Sequence, residues 1–146
     1  MQISSVLQLK GGAVKSVSKA VPLRDAIKIL AVQRIGAVIV SEDGEKIDGI
    51  LSERDVVRAV ADAALDVNSM IVSDLMTAKV RSCSPDASIA EVMALMNQYR
   101  IRHVPVVADG ALCGVVSMRD LVDSQLQEAE AEREQMAHYI AGDLTG

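Results

Sequence analysis

The sequence predicts an α/β (α+β) chain in which one strand-helix-strand-strand-helix unit is written twice, and three observations carry that prediction. The segment Gly49-Ile50-Leu51-Ser52-Glu53-Arg54-Asp55 returns 65 residues later as Gly114-Val115-Val116-Ser117-Met118-Arg119-Asp120. Ser18 answers Ser84 and Arg34-Ile35 answers Arg100-Ile101 at an offset of 66, and the same spacing sets Val6 and Leu9 against Val72 and Leu75. Each copy also alternates apolar residues at helical spacing with short apolar runs closed by Asp-Gly turns. A fixed internal period implies two equivalent halves related by an approximate twofold axis. The slip from 66 to 65 falls between Ser41 and Asp48, where a hairpin absorbs one residue.

Each copy opens on a short apolar turn, around Val6-Leu7-Gln8-Leu9 or Val72-Ser73-Asp74-Leu75-Met76, followed by an extended piece near Val14 to Val17 or Val80 to Cys83. A helix comes next. Pro22 fits its first turn in copy one, where a missing N–H costs nothing, and Leu23, Ala26, Ile27, Leu30 and Ala31 recur on one face. Copy two places Ser88 as N-cap with Glu91 three residues on, and turns Ile89, Val92, Met93 and Met96 inward. Two strands follow, Ala37 to Val40 and Val104 to Val107 being continuous apolar runs of the kind buried on both faces. The hairpin signals are Asp43-Gly44 and Asp109-Gly110. Ser52 and Ser117 then begin the closing helices. The expected division is 1–65, 66–125 and a C-terminal helix over 126–146, with Asp62 to Ser69 an ordered connection. Along the C-terminal tail Val122, Leu126, Ala129, Met136 and Ile140 form a narrow apolar seam, interrupted by Arg133; the seam either meets a partner subunit or lies solvated on its own domain.

Composition narrows the function. Half of the 146 residues are hydrophobic, enough for a shared core, yet there are two Tyr, no Phe and no Trp, so a flat ligand here must be held between aliphatic side chains. A net charge of −5 and the lack of stacking aromatics argue against nucleic-acid binding. Cys83 and Cys113 form no C-x-x-C pair, and with two His there is no zinc spacing; buried reduced thiols are the expectation. No apolar run reaches bilayer length and no secretory pattern opens the chain, which points to a cytoplasmic protein without a membrane partner. No Gly-rich phosphate loop or nucleophile elbow is present, so the reading is non-catalytic, with no catalytic cofactor and no metal.

The candidate chemistry lies in the doubled Ser-x-Arg-Asp. Ser at a helix N-cap with an acidic residue at N3 can be a capping box and nothing more. Repeated with Arg54 and Arg119 in the same slot, it also describes an anion seat at a helix start, reinforced by a forked donor, beside carboxylates of Asp55 and Asp120 that could grip a diol. Anion seat, diol acceptor and aliphatic slot together describe a nucleoside phosphate. Arg100, Arg102 and His103 form the one dense basic cluster outside the helices, where copy one has Arg34, Gly36 and Ala37. The second site should therefore hold negative charge more firmly. His103 is either a ligand contact or a half-buried ring bonded to the backbone.

These residues, with Asp74-Leu75-Met76-Thr77, Ser84-Pro85-Asp86 and Arg100-Ile101-Arg102-His103-Val104-Pro105-Val106, resemble the cystathionine-β-synthase (CBS) domain over about residues 3 to 125, and in particular the small free-standing two-domain proteins of bacteria. The resemblance implies two β-α-β-β-α repeats packed through their sheets and two clefts for adenosine-bearing ligands such as AMP, ADP, ATP, NAD(H) or S-adenosylmethionine. It further implies that Asp55 and Asp120 take ribose hydroxyls, with Ser52 and Ser117 near ribose or phosphate and Arg54 and Arg119 on phosphate. Val80 and Ser82, with Val14 and Ser16 as their equivalents, would border the adenine, and Arg102, His103 and Pro105 would close the second site. Such modules act as sensors that shift conformation for a regulated partner and commonly pair as homodimers. The alternative is a ligand-independent dimeric scaffold, in which the Ser-x-x-Asp pairs are only caps. Copy one departs from the pattern, with Ile39 at the Pro105 position and no basic pair.

Overall fold

The computed structural model describes residues 1–11 and 13–145, with side chains as far as residue 142. The order is α1 (Ile3–Lys10), β1 (Ser16–Val17), α2 (Leu23–Gln33), β2 (Ala37–Val40), β3 (Gly49–Ser52), α3 (Glu53–Ala61), α4 (Val72–Leu75), α5 (Ile89–Tyr99), β4 (His103–Ala108), β5 (Ala111–Ser117) and α6 (Met118–Thr145). The first half makes a three-stranded sheet, β1-β2-β3, with β1 parallel and β3 antiparallel to β2. The second half pairs β4 with β5, and its third strand is reduced to a bridge from Cys83 to Val106. The hairpins form where expected. Asp109 and Gly110 both take positive φ (52° and 78°), the left-handed pair that a tight β-turn of matching twist requires. The connection after α3 is ordered: a 3-10 turn at Val67–Ser69 is capped by Asp66 and tied to α2 by Arg24 Nη1 donating to Asn68 Oδ1 at 2.8 Å.

The helices start and stop for local reasons. Ser52, Ser88 and Ser117 each accept a hydrogen bond from the N–H three residues on, and the acidic residue there accepts from the serine's own N–H. Pro22 stands as the N-cap of α2 rather than inside its first turn. Helices α2 and α5 both end on an arginine in the left-handed region, Arg34 and Arg100 at φ 54°.

Two cores result, and each borrows a helix from the other half. Ile3 and Val6 of α1 pack with Ile89, Val92 and Met96 of α5, Val104, Val106, Val116 and Leu121. Val72 of α4 packs with Val17, Leu23, Ala26, Leu30, Val38, Val40 and Leu51. The backbone records the same exchange. Ile3 and Ser4 donate to Ala87 and Pro85, and Val72 and Ser73 donate to Val21 and Lys19. Those pairs equate Ile3 with Val72, an offset of 69, which corrects the pairing of Val6 and Leu9 with Val72 and Leu75. Gly114 packs on Leu7 as Gly49 packs on Met76, and this confirms the new register. Helix α1 is thus a turn longer than α4, and the three residues by which the stretch from Leu7 to Val17 exceeds that from Met76 to Cys83 lie in that turn.

Helix α6 begins at Met118, packs through Leu121 and Ser124, and then runs on with its apolar seam uncovered. Leu126, Met136, Tyr139 and Ile140 are 58%, 64%, 69% and 57% exposed. The seam therefore does not lie on its own domain.

Candidate functional site

One large cleft, about 1130 Å3 in volume, opens between the two halves. That is ample for a nucleotide. It is crosswise: its walls are the start of the first half, Ala13, Val14 and Lys15, the ends of the two strand pairs, and the start of α6 with Ser117, Arg119 and Asp120. The helix exchange dictates this geometry. Because α1 sits on the second half, the chain leaving it must return across the cleft to reach β1.

Of the residues singled out from sequence, Val14, Arg102, His103, Ser117, Arg119 and Asp120 line this cleft together. Ser16, Ser52, Arg54, Asp55, Val80, Ser82 and Pro105 lie outside its lining. Ser16 is in β1 opposite Ile39, and the Pro105 carbonyl accepts from the Cys83 N–H at 3.0 Å. Arg54 donates through Nη1 to the Arg100 carbonyl at 3.3 Å, linking the start of α3 to the end of α5. Ile39, the counterpart of Pro105, is itself a buried wall of the cleft.

The Asp120 carboxylate accepts from the Ser117 N–H at 2.8 Å and from Lys10 Nζ at 2.8 Å. Burial alone would raise its pKa, but the Lys10 ammonium and the Ser117 donors outweigh that and hold it below the ordinary carboxylate value. Lys10 also donates to the Val115 carbonyl at 2.8 Å. In the first half Asp55 accepts from the Ser52 N–H and hydroxyl, both at 3.0 Å. At the helix starts, Met118 donates to Arg102 O and Glu53 to Gly36 O. The leading N–H groups are therefore partly used, and side-chain cations supply most of the positive field. Lys10, Lys15, Arg34, Arg102 and Arg119 face the cleft against Glu53 and Asp120, in a chain whose net charge is −5.

The asymmetry between the halves has a steric cause. A Cβ on Gly36 would lie 2.8 Å from the His103 ring, so with His103 in place the first half cannot carry a side chain where the second half has Arg102. His103 is half-buried, and desolvation followed by the nearby Lys10 charge holds its pKa below the ordinary histidine value, so it is neutral at pH 7. The cysteines differ from expectation. Cys83 is partly buried and its thiol is pushed up to about 11 by desolvation and by Cys113, whereas Cys113 is exposed at the cleft wall.

Sequence reasoning missed Lys10, Lys15, Arg34 and Glu53. The available signal was length: six residues separate Leu7 from Val14, but three separate Met76 from Val80. The extra turn carries Lys10. Among the described residues, no helix is long and apolar enough to cross a membrane.

Comparison with known proteins agrees with this architecture. The CBS domain profile matches residues 13–62 and 72–126. The chain is 34% identical over 122 residues to the mitochondrial CBS domain-containing protein CBSX3 of Arabidopsis thaliana, covering 81% of this chain and 59% of that protein. The crystal structure of a CBS-domain containing protein from Agrobacterium tumefaciens superposes with a TM-score of 0.81 at 34% identity, covering 86% of this chain and 99% of that one. A CBS domain protein from Pyrobaculum aerophilum, solved in complex with AMP, superposes at 0.72 with 26% identity over 82% of this chain and 89% of that one. Two profile matches, a shared fold and the duplicated strand-helix junctions make the chain a member of the CBS-domain family, carrying the domain as a tandem pair.

Proposed function

We propose that the protein is a non-catalytic regulatory module that binds an adenosine-bearing ligand, AMP, ADP, ATP or NAD(H), in the Asp120 cleft and signals by a shift of conformation. The observation that carries this is the meeting, in one cleft, of a carboxylate at a helix start, the aliphatic walls of Val14 and Ile39, and an excess of cations. Asp120 would take the ribose hydroxyls, Val14 and Ile39 the faces of the base, and Arg102 and Arg119 the phosphate. The AMP bound to the Pyrobaculum relative supports the ligand class. The corresponding groups of the first half, Ser52, Arg54, Asp55, Val80 and Ser82, would form a second, weaker site. Ligand binding can move a partner's equilibrium only by favouring one conformation, and a cleft walled by both halves suits that. We further propose a cytoplasmic homodimer that acts on a regulated protein.

The capping boxes favour a second reading, a scaffold whose Ser-x-x-Asp pairs serve the helices alone. Thermal melts separate the two. A ligand at about 100 times its dissociation constant adds roughly 2.7 kcal/mol, on the order of 5–10 °C for a domain of this size. AMP, ATP or NADH should produce such a shift. Asp120→Ala should abolish most of it and Asp55→Ala should not; undiminished protection of Asp120→Ala would refute the site, and no shift with any adenosine compound would favour the scaffold.

A further inference from the structure

Among the described residues, the one ion pair inside the cleft has no counterpart in the other half. In the first half the Ile50 carbonyl accepts from the backbone N–H of Thr77 at 2.9 Å. At the equivalent place in the second half the Val115 carbonyl accepts from Lys10 Nζ at 2.8 Å. A side-chain ammonium has replaced a backbone donor. It stands on the turn by which α1 outruns α4, and it simultaneously pairs with Asp120 Oδ2. The two side chains are 41% and 21% exposed, so the pair is half-sheltered and occupies the carboxylate edge that faces the cleft.

We infer that Lys10 makes this cleft selective for phosphate-bearing adenosine ligands over neutral or cationic ones, an inference that rests on the nucleotide reading above. A ribose diol that donates to both oxygens of Asp120 competes with Lys10 for Oδ2, which already accepts from the Ser117 N–H. The ammonium then keeps the Val115 carbonyl and loses its counter-charge. Stripping the counter-charge from a half-sheltered ammonium has a cost, smaller than for a fully buried pair, unless a new charge arrives. A phosphate in the same cleft supplies it, and Lys10 exchanges a carboxylate for a phosphate while Asp120 exchanges an ammonium for a diol. Adenosine supplies no such charge. S-adenosylmethionine brings a sulfonium cation into a cleft already holding Lys10, Lys15, Arg34, Arg102 and Arg119. The selectivity belongs to the second half alone, because among the described residues the Asp55 carboxylate accepts from Ser52 and from no cation.

Isothermal titration of the full chain with AMP, adenosine and S-adenosylmethionine tests this, using the wild type, Lys10→Met, Lys10→Gln and Lys10→Arg. In the wild type AMP should bind about 30-fold or more tighter than adenosine, the range expected when a charge-assisted hydrogen bond is made or lost. Lys10→Met should cut that ratio about tenfold, partly by improving adenosine as Asp120 is freed, and Lys10→Arg should restore it. Lys10→Gln, which keeps a donor for Val115 without the charge, should behave as Lys10→Met and guards against a folding defect. An AMP-to-adenosine ratio unchanged in both neutral variants, or S-adenosylmethionine binding the wild type as tightly as AMP, overturns the inference and leaves the nucleotide site standing. If none of the three compounds binds the wild type at millimolar concentration, the nucleotide reading itself falls and this inference with it.

Discussion

At the scale of single residues, Ser117 and Asp120 show how one arrangement can serve two purposes. The motif is a capping box, and so its presence in sequence could be read equally as local chemistry. What distinguishes Asp120 from Asp55 is a third residue, Lys10, more than a hundred positions away. His103 carries a consequence for pH. Its pKa is depressed in the folded state against about 6.5 for the free side chain, so the unfolded chain binds the proton first. The stability this contributes is present above about pH 6.5 and is lost as the pH falls through the lower, folded value. Melting temperature should therefore decline on acidification from pH 7 towards pH 5, and His103→Gln should flatten that slope; an unchanged slope would assign it to other groups. The cysteines offer a footprint. Iodoacetamide at pH 7.5 should label the exposed Cys113 well before Cys83, whose thiol is raised to about 11, and AMP should slow labelling of Cys113 at the cleft wall. Mass spectrometry of the labelled chain reads both effects, and equal rates without a ligand effect would contradict them.

At the scale of elements, much was legible because the signals are local. Asp-Gly turns, Ser N-caps and short apolar runs each act within a few residues, and they placed β2 to β5, α2, α5 and the start of α6. The exchange of α1 and α4 between halves was not legible, since both helices are short and apolar and either core could accept them. The register of α1 was misjudged for the same reason: a match at offset 66 hid a longer helix followed by glycine. The exchange makes a firm prediction. Ile3 is fully buried against α5 and β4, so Ile3→Ala should cost about 2–5 kcal/mol in urea unfolding although it is the third residue of the sequence. A loss below about 0.5 kcal/mol, the scale of surface changes, would mean that α1 is only loosely held.

At the scale of the whole molecule, the duplication gives a twofold frame and the chain then breaks it. Gly36 faces His103, Ile39 stands for Pro105, and among the described residues the Lys10–Asp120 pair has no counterpart at Asp55, so one cleft gathers the positive charge. The basic pair was visible in sequence; the crosswise assembly, Val14 with Asp120, was not, because it depends on which core α1 joins. The long α6 extends the molecule beyond this frame. Its seam places Leu126, Ala129, Arg133, Met136 and Ile140 at coiled-coil spacing, with Arg133 next to Glu132 where a partner helix could answer it. In the proposed homodimer, Leu126→Glu with Met136→Glu should lower the sedimenting mass without lowering the melting temperature at matched subunit concentration by more than the lost association explains. An unchanged mass would remove α6 from the interface. The central claim is that the cleft between Val14 and Asp120 receives an adenosine-bearing anion, and a crystal structure of the protein grown with AMP tests it most directly. Purine density should lie between Val14 and Ile39, with ribose on Asp120 and phosphate among Lys10, Arg102 and Arg119; a cleft still closed by the Lys10–Asp120 pair, with AMP absent or bound elsewhere, would contradict that claim.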